Sequence, residues 1–126
     1  MNRIQSYCFA FFFLTVLTGC GNPQVTGRVT FSDGTPLKGG MVILQNDQCQ
    51  GIGDLNPEGE FSIYQIRPGD GLKRGRYLGY IANAVVEDAQ GRITGALPDK
   101  YTRAETSGIT YDSQKDRGTL NIVIER

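Results

Sequence analysis

The chain has no histidine and no tryptophan, and only three cysteines occur among its 126 residues. Without histidine, no Ser/His/Asp or Cys/His catalytic arrangement is available, and the usual imidazole-bearing zinc sites are excluded as well. Basic and acidic residues are equal in number, 13 of each, so the chain lacks the positive charge excess that favours nucleic-acid binding. After residue 20 there is also no convincing run of helical periodicity, which points away from a helical domain.

One apolar run is present, and it lies at the N-terminus. The uncharged stretch from Tyr7 to Val16 follows Arg3, a short positive region. It is too short to cross a bilayer as a stable helix, which takes roughly 20 apolar residues. Its length and flanks are typical of a secretory signal peptide. The run ends in an aliphatic residue, two small residues and a cysteine, which resembles a bacterial lipobox: Leu17, Thr18, Gly19 and Cys20.

The lipobox resemblance implies that residues 1–19 are removed and that the sulfur of Cys20 carries a diacylglycerol. Each buried methylene of an acyl chain contributes about 0.8 kcal/mol, and two or more chains make the anchoring stable. Because Gly21 rather than aspartate follows Cys20, the resemblance also implies transfer to the outer membrane. Residues 20–23 then form a short tether, and residues 24–126 form one domain. The alternatives are an ordinary signal peptide with a chance cysteine and a short membrane anchor.

The predicted processing determines which cysteines remain as free thiols in the mature protein. Cys8 leaves with the signal and Cys20 is acylated, so Cys49 stands alone and the mature protein has no intrachain disulfide. A single cysteine in an exported protein is either a small buried apolar side chain, which we favour here, or a reactive thiol.

Short β-rich runs separated by turn signals recur through residues 24–126, which predicts a sandwich or barrel without helices. In the first run Val25, Val29 and Phe31 share one face, the alternation of a half-buried antiparallel strand. Leu37, after the turn that follows this run, is expected to pack back into the core. The inward-facing residues expected in the last run are Leu120, Ile122 and Ile124. Residues 87–106 are the least regular stretch and are expected to pack along the sandwich edge. About seven strands are predicted, the number in an immunoglobulin-like sandwich, at residues 25–31, 41–46, 51–55, 60–66, 77–81, 109–111 and 119–124.

Several segments, taken in order, resemble a known family. Besides the lipobox they are residues 25–31, 33–40, 59–61, 70–71, 75–77, 98–101 and 106–110. The order resembles the small envelope lipoproteins, abundant in planctomycete-type bacteria, that carry a carboxypeptidase regulatory-like or transthyretin-like β-sandwich. The resemblance covers nearly the whole chain. Two features depart from the family pattern, an extra loop between Val86 and Leu97 and the isolated Cys49.

This resemblance implies a single seven-stranded antiparallel Greek-key sandwich of the immunoglobulin-like, prealbumin type, located in the cell envelope. It supplies no catalytic residue, ligand or partner. The hydroxyisourate-hydrolysing relatives of transthyretin depend on histidines, which this chain does not have. That activity is therefore not expected.

The segment from Asp70 to Tyr77 resembles a tyrosine corner, in which a phenol hydroxyl bonds the backbone a few residues upstream. We expect Tyr77 to have this structural role rather than a catalytic one. The sharpest charge cluster overlaps the segment and faces only one acidic residue, Asp70. It is a candidate contact for anionic lipid headgroups or acidic polysaccharide, the alternative being a solvated loop. Its members are Arg67, Lys73, Arg74 and Arg76.

Aromatic side chains offer a second candidate surface. Tyr101 lies in the irregular stretch and is expected to be available for a carbohydrate or protein contact. Tyr64, Tyr80 and Tyr111 are weaker candidates, because most strand tyrosines pack against the sheet. A carbohydrate-binding module that uses loop aromatics is therefore the alternative function.

Acidic residues do not form a convincing site. The acidic pairs Glu58/Glu60 and Glu87/Asp88 lie at turns or loops, where acidic side chains are expected for solubility. The aspartates near turns lack the convergent spacing that calcium needs. We therefore expect no catalytic residue, metal or cofactor, and no nucleic-acid partner. The sequence predicts an exported protein held to the membrane by acyl chains on Cys20, with a structural or protein-interaction role and an envelope protein or polysaccharide as the candidate partner.

Overall fold

The computed structural model describes residues 22–87, 90–95 and 97–125, and within these ranges the chain forms nine β-strands and little helix. The chain is therefore all-β, as predicted. A 3-10 helix spans Asp99–Thr102, and a single helical turn, α1, spans Ser113–Asp116. No helix in the described part is long and apolar enough to span a membrane. The strands are β1 (Val25–Phe31), β2 (Met41–Gln45), β3 (Gln50–Asp54), β4 (Glu60–Ile63), β5 (Arg76–Ala82), β6 (Val86–Glu87), β7 (Ile93–Gly95), β8 (Thr110–Asp112) and β9 (Thr119–Ile124).

Seven of these strands form two sheets. The first has the order β4-β1-β9 and the second β3-β2-β5-β8, while β6 and β7 pair separately. All pairs in the second sheet are antiparallel, but β1 is antiparallel to β4 and parallel to β9. The prediction of a wholly antiparallel arrangement is therefore wrong. The first and last strands of the domain share no hairpin, so no tight turn forces them to run in opposite directions.

The parallel pair depends on a glycine in β1. Gly27 occupies the inward-facing position between Val25 and Val29, opposite Leu120 of β9. A Cβ placed on Gly27 would lie 1.7 Å from the carbonyl oxygen of Leu120. Only a residue without a side chain permits this approach of the two backbones.

The two sheets pack face to face around one core, to which both contribute. The predicted inward faces of β1 and β9 are confirmed, because alternate residues of both strands are buried. Leu37, in the loop after β1, is completely buried as predicted. Full burial of such a side chain contributes about 1.5–3 kcal/mol. The largest fully buried side chains are Tyr111, Leu37, Leu44, Ile63, Leu72, Ile81, Ile124, Val25, Val29 and Val42.

The sheets are joined along one edge, just after β4. The backbones of Ile52 and Tyr64 exchange two hydrogen bonds, each 2.9 Å long. Strand β4 itself ends at Ile63 rather than at Ile66, where the sequence placed its end. Ile66, which the sequence placed in this strand, lies beyond its end and is 82% exposed.

The connections contain more regular structure than predicted. The stretch 87–106 includes β7 and the 3-10 helix, and it buries Leu97 and Tyr101 against the core. The connection between β8 and β9 forms α1, so the expectation of no helix is wrong by this single turn and the 3-10 helix. The Asp112 carboxylate caps the turn by accepting from the Gln114 amide at 2.9 Å.

Candidate functional site

The first described residues lie on the loop that connects β4 to β5. The Leu72 amide donates to the Pro23 carbonyl at 3.0 Å, and the side-chain amide of Gln24 donates to the Gly69 carbonyl at 2.9 Å. Between these contacts a Cβ on Gly71 would lie 2.6 Å from the Pro23 oxygen, and the φ of Gly71 is 76°. A glycine is needed at this position both for the close approach and for the left-handed backbone.

Local hydrogen bonds give this loop its shape. The Asp70 carboxylate accepts from the Arg67 amide at 2.8 Å, and the Asp70 amide donates to the Arg67 carbonyl at 3.0 Å. Across the loop, the Lys73 amide donates to the side-chain oxygen of Gln65 at 2.9 Å. Leu72, 1% exposed, fixes the loop to the core. Residues 22–24, which we call the chain start, therefore lie on a defined surface of the domain rather than on an open loop.

Charged and apolar side chains project from the same loop. Its exposed members include Ile66 and three cations, and we refer to these four residues as the basic loop: Ile66, Arg67, Lys73 and Arg74. The fourth predicted cation, Arg76, begins β5 and lies 3.4 Å from an Asp112 carboxylate oxygen, with 86% of its side chain exposed. Such an exposed ion pair contributes little to stability. The predicted charge cluster is thus divided between the loop and a strand end.

Tyr77 lies directly behind the basic loop. Its hydroxyl donates to the Lys73 carbonyl at 2.6 Å, four residues upstream. The same oxygen lies 3.1 Å from the sulfur of Cys49. Because the single phenol proton is directed at Lys73, the Cys49 thiol is the donor to Tyr77. Burial raises the pKa of Tyr77 above its ordinary value.

This arrangement favours a structural role for Cys49. Its side chain is half-buried and packs against the core, and its amide donates to the Asn46 side chain at 2.9 Å. Asn46 in turn donates to the Arg76 carbonyl at 3.1 Å. The cysteine therefore joins the β2–β3 turn to the start of β5.

A surface cleft of about 700 Å³ opens beside Tyr77. Two of its three acidic groups make local backbone contacts, since Asp112 caps α1 and Asp116 accepts from the Asp112 amide at 2.8 Å. Charges of both signs line the cleft, which gives it no strong preference for one ligand charge. The lining residues are Gln45, Asn46, Asp47, Arg76, Tyr77, Leu78, Thr110, Tyr111, Asp112, Lys115 and Asp116.

Tyr101 is not a surface aromatic. It is 5% exposed, and its hydroxyl accepts from the Glu125 amide at 3.0 Å. The expectation that its ring is available to a ligand is wrong, because the 3-10 helix turns the ring onto the core. Tyr111, 2% exposed, is also buried, and its hydroxyl accepts from the Gly118 amide at 2.8 Å.

The carboxylates considered in the sequence do not converge where the structure describes them. Glu60 lies 3.6 Å from Arg28 and accepts from Asn56 at 3.2 Å, both on the sheet surface. Asp88 lies outside the described residues. Within the described ranges, no three Cys, Asp or Glu side chains lie close enough together to hold a metal ion.

The structure describes the chain from Asn22 onward. The predicted lipobox therefore lies outside the described residues: Leu17, Thr18, Gly19 and Cys20. A search against protein-family models, curated proteins and solved structures matched none of them to this chain. The assignment of a role therefore depends on the residues and geometry described above.

The contact between the chain start and the loop was missed by sequence reasoning. Gln24 and Gly69 are 45 residues apart, and no periodicity links them. The Asp70-Gly71 pair in the sequence indicated a turn. It did not indicate which residues approach Gly71. Ile66 was assigned to a strand, so its exposure beside Arg67 was not anticipated.

Proposed function

We propose that the mature chain is a lipid-anchored protein of the cell envelope, held in the outer membrane through acyl chains on Cys20. Its domain serves as a non-enzymatic structural or protein-interaction module. The observation that carries this proposal is the position of the chain start. Pro23 and Gln24 are hydrogen-bonded to one end of the domain, so an anchor two residues before Asn22 leaves the rest of the domain accessible.

We further propose that the domain is an immunoglobulin-like Greek key of the carboxypeptidase regulatory or transthyretin type. Strands β2, β3 and β4 follow one another in space, through the β2–β3 pairing and the Ile52–Tyr64 bridge. Strand β5 then returns to lie beside β2. The spatial order 5-2-3-4 is the order of a Greek key. The parallel β1–β9 pair distinguishes this domain from the simplest antiparallel version.

The absence of histidine from the sequence supports a non-enzymatic role. The carbohydrate-binding alternative depended on Tyr101 as an exposed aromatic platform, and the burial of that ring removes its main support. An envelope protein is therefore the partner that we favour over a polysaccharide.

The anchor is tested by replacing Cys20 with serine in the full chain. We expect the wild-type protein to incorporate labelled palmitate and to fractionate with membranes, and Cys20→Ser to lose both properties. Cys8→Ser is the matched control, because Cys8 belongs to the segment that is removed. Acyl label retained on Cys20→Ser would overturn the anchor.

The interaction role is tested by crosslinking in intact cells, followed by mass spectrometry of what is attached to the tagged protein. A discrete and reproducible protein partner is the expected result. Crosslinks confined to lipid and to other copies of the chain would contradict a role in recruiting another protein.

A further inference from the structure

The basic loop lies at the end of the domain from which the chain start emerges. Pro23 and Gln24 are hydrogen-bonded to Leu72 and Gly69, within the loop that carries its four side chains. Arg67 directly precedes the turn that Gly69 belongs to, and Lys73 directly follows Leu72. The cations and the chain start are distant in sequence and are held next to one another by these two hydrogen bonds.

The distance from this surface to the anchor is short. Asn22 is two residues from Cys20, and two residues of fully extended chain span at most about 7 Å. This distance is comparable with the thickness of one headgroup layer, about 5–7 Å from the total and hydrocarbon thickness of a bilayer. An acylated Cys20 thus brings this end of the domain to the headgroups, whichever way the tether turns.

The composition of the surface suits a membrane that carries negative charge. Within the described residues, none of Arg67, Lys73 and Arg74 forms an ion pair. Asp70, the acidic residue of the loop, has a carboxylate oxygen bonded to the Arg67 amide. Ile66 is 82% exposed beside these cations. Exposed cations with an adjacent apolar side chain are the combination that binds anionic interfaces.

Other charged groups near the chain start leave this positive excess in place. Gly118 lies against the Gln24 carbonyl, so α1 and its neighbour Arg117 are close to the same end. Asp112 and Asp116 are bonded there to backbone amides, and Lys115 and Arg117 lie between or beside them. The charges of these two acidic and two basic residues cancel.

The opposite end of the domain provides the comparison. Strand β1 runs away from the chain start, and Val123 pairs with Thr30 near its far end. The five steps along the strand from Val25 to Thr30 span about 17 Å at strand geometry. Val123 is 60% exposed, so it is an exposed apolar side chain far from the tether.

We propose that the basic loop is a membrane-docking surface, which binds the anionic lipid headgroups of the bilayer that holds the Cys20 acyl chains. This inference rests on the proposed lipid anchor and adds an orientation to it. Because the tether is short, docking is an intramolecular step at high effective concentration, and a weak contact suffices. The bound domain then presents its opposite end, with Val123, away from the membrane.

The absence of tryptophan allows a direct test. The full lipidated protein is prepared with Ile66→Trp or Val123→Trp, each as the sole tryptophan, and reconstituted into vesicles with brominated acyl chains. One vesicle type is phosphatidylcholine alone, and the other includes phosphatidylglycerol. We expect quenching of the Trp at position 66 in the phosphatidylglycerol vesicles, reduced at about 1 M salt, where the Debye length is about 3 Å. The Trp at position 123 should remain unquenched.

Charge is tested by a pair of matched double variants on the Ile66→Trp background. Lys73→Gln with Arg74→Gln removes two cations from the basic loop, and Lys100→Gln with Arg103→Gln removes two exposed cations elsewhere. Each basic residue near an anionic surface corresponds to about a fivefold change in binding. The ratio of docked to undocked protein should therefore fall roughly 25-fold for the first pair and remain unchanged for the second.

The possible outcomes distinguish a failure of the docking proposal from a failure of the anchor proposal. Protein that fails to float with the vesicles would refute the anchor itself. Protein that floats, but whose Trp at position 66 is unquenched, would leave the anchor intact and overturn the docking surface. Equal quenching at both positions, or equal loss from both double variants, would also overturn it. So would a fluorescence change with a soluble sulfated polysaccharide and none with the vesicles.

Discussion

Replacing Tyr77 with phenylalanine removes one hydroxyl and leaves the ring in the core. The hydroxyl donates to the Lys73 carbonyl at 2.6 Å and accepts from the Cys49 thiol, and the side chain is 3% exposed. A typical hydrogen bond contributes about 0.5–1.5 kcal/mol net. The thiol is a weak donor and adds little. We therefore expect the free energy of unfolding to fall by about 1 kcal/mol.

Thermal unfolding followed by circular dichroism provides the assay. For a domain of this size a loss of about 1 kcal/mol lowers the Tm by about 4–8 °C. Tyr80→Phe is the matched control, because within the described residues the Tyr80 hydroxyl makes no hydrogen bond and its removal should leave the Tm nearly unchanged. Equal Tm values for wild type and Tyr77→Phe would refute the tyrosine-corner interpretation.

The burial of Tyr77 also predicts that the stability of the domain depends on pH. Burial raises the pKa of Tyr77 above about 10, the value expected in the unfolded chain. Below pH 10 both states keep the proton and stability is unaffected. Above about pH 10 the unfolded state binds fewer protons than the folded state, so stability falls as pH rises, by up to about 1.4 kcal/mol per pH unit. Tyr77→Phe should lose this part of the slope; an identical slope in both proteins would contradict the assignment.

Two further substitutions test the loop and the edge of the second sheet. Gly71→Ala should destabilise the domain by about 2 kcal/mol or more, since a Cβ would strain a positive φ and displace Pro23. Gly69→Ala is the control, because Gly69 also has a positive φ but has open space around it, and this substitution should lower the free energy of unfolding in urea by only about 1 kcal/mol. Equal destabilisation by the two substitutions would argue against the close approach of Gly71 to Pro23. Ser107→Ala should cost about 1–3 kcal/mol, because its buried hydroxyl donates to the Gly79 carbonyl; a midpoint within error of wild type would exclude that role.

Strand faces were predictable because they depend on alternation within a few residues. Val25, Val29 and Phe31 share a face through the two-residue period of a strand, and the structure buries all three. The turn at residues 56–59 follows from local chemistry in the same way, and the Gly59 amide donates to the Asn56 carbonyl at 2.8 Å. These features need no knowledge of the rest of the chain.

Strand direction and side-chain exposure in irregular segments were not predictable in this way. The parallel pairing of β1 with β9 depends on how the two ends of the domain meet, and Gly27 permits it without specifying it. Tyr101 was expected at the surface because its segment has no period, yet the 3-10 helix directs its ring inward. The all-β class was therefore correct, while the sheet type and the aromatic site were not.

The sequence by itself determined the all-β class, the inward faces of the strands and the burial of Leu37, and it carries the acylation hypothesis at Cys20. These features reside in patterns of neighbouring residues. Only the tertiary structure decided that Pro23 and Gln24 lie on the loop around Gly71 and that Ile66 is exposed beside Arg67. The physical reason is that the contacts of Pro23 and Gln24 join groups more than 40 residues apart, and local sequence preferences do not specify which distant groups meet.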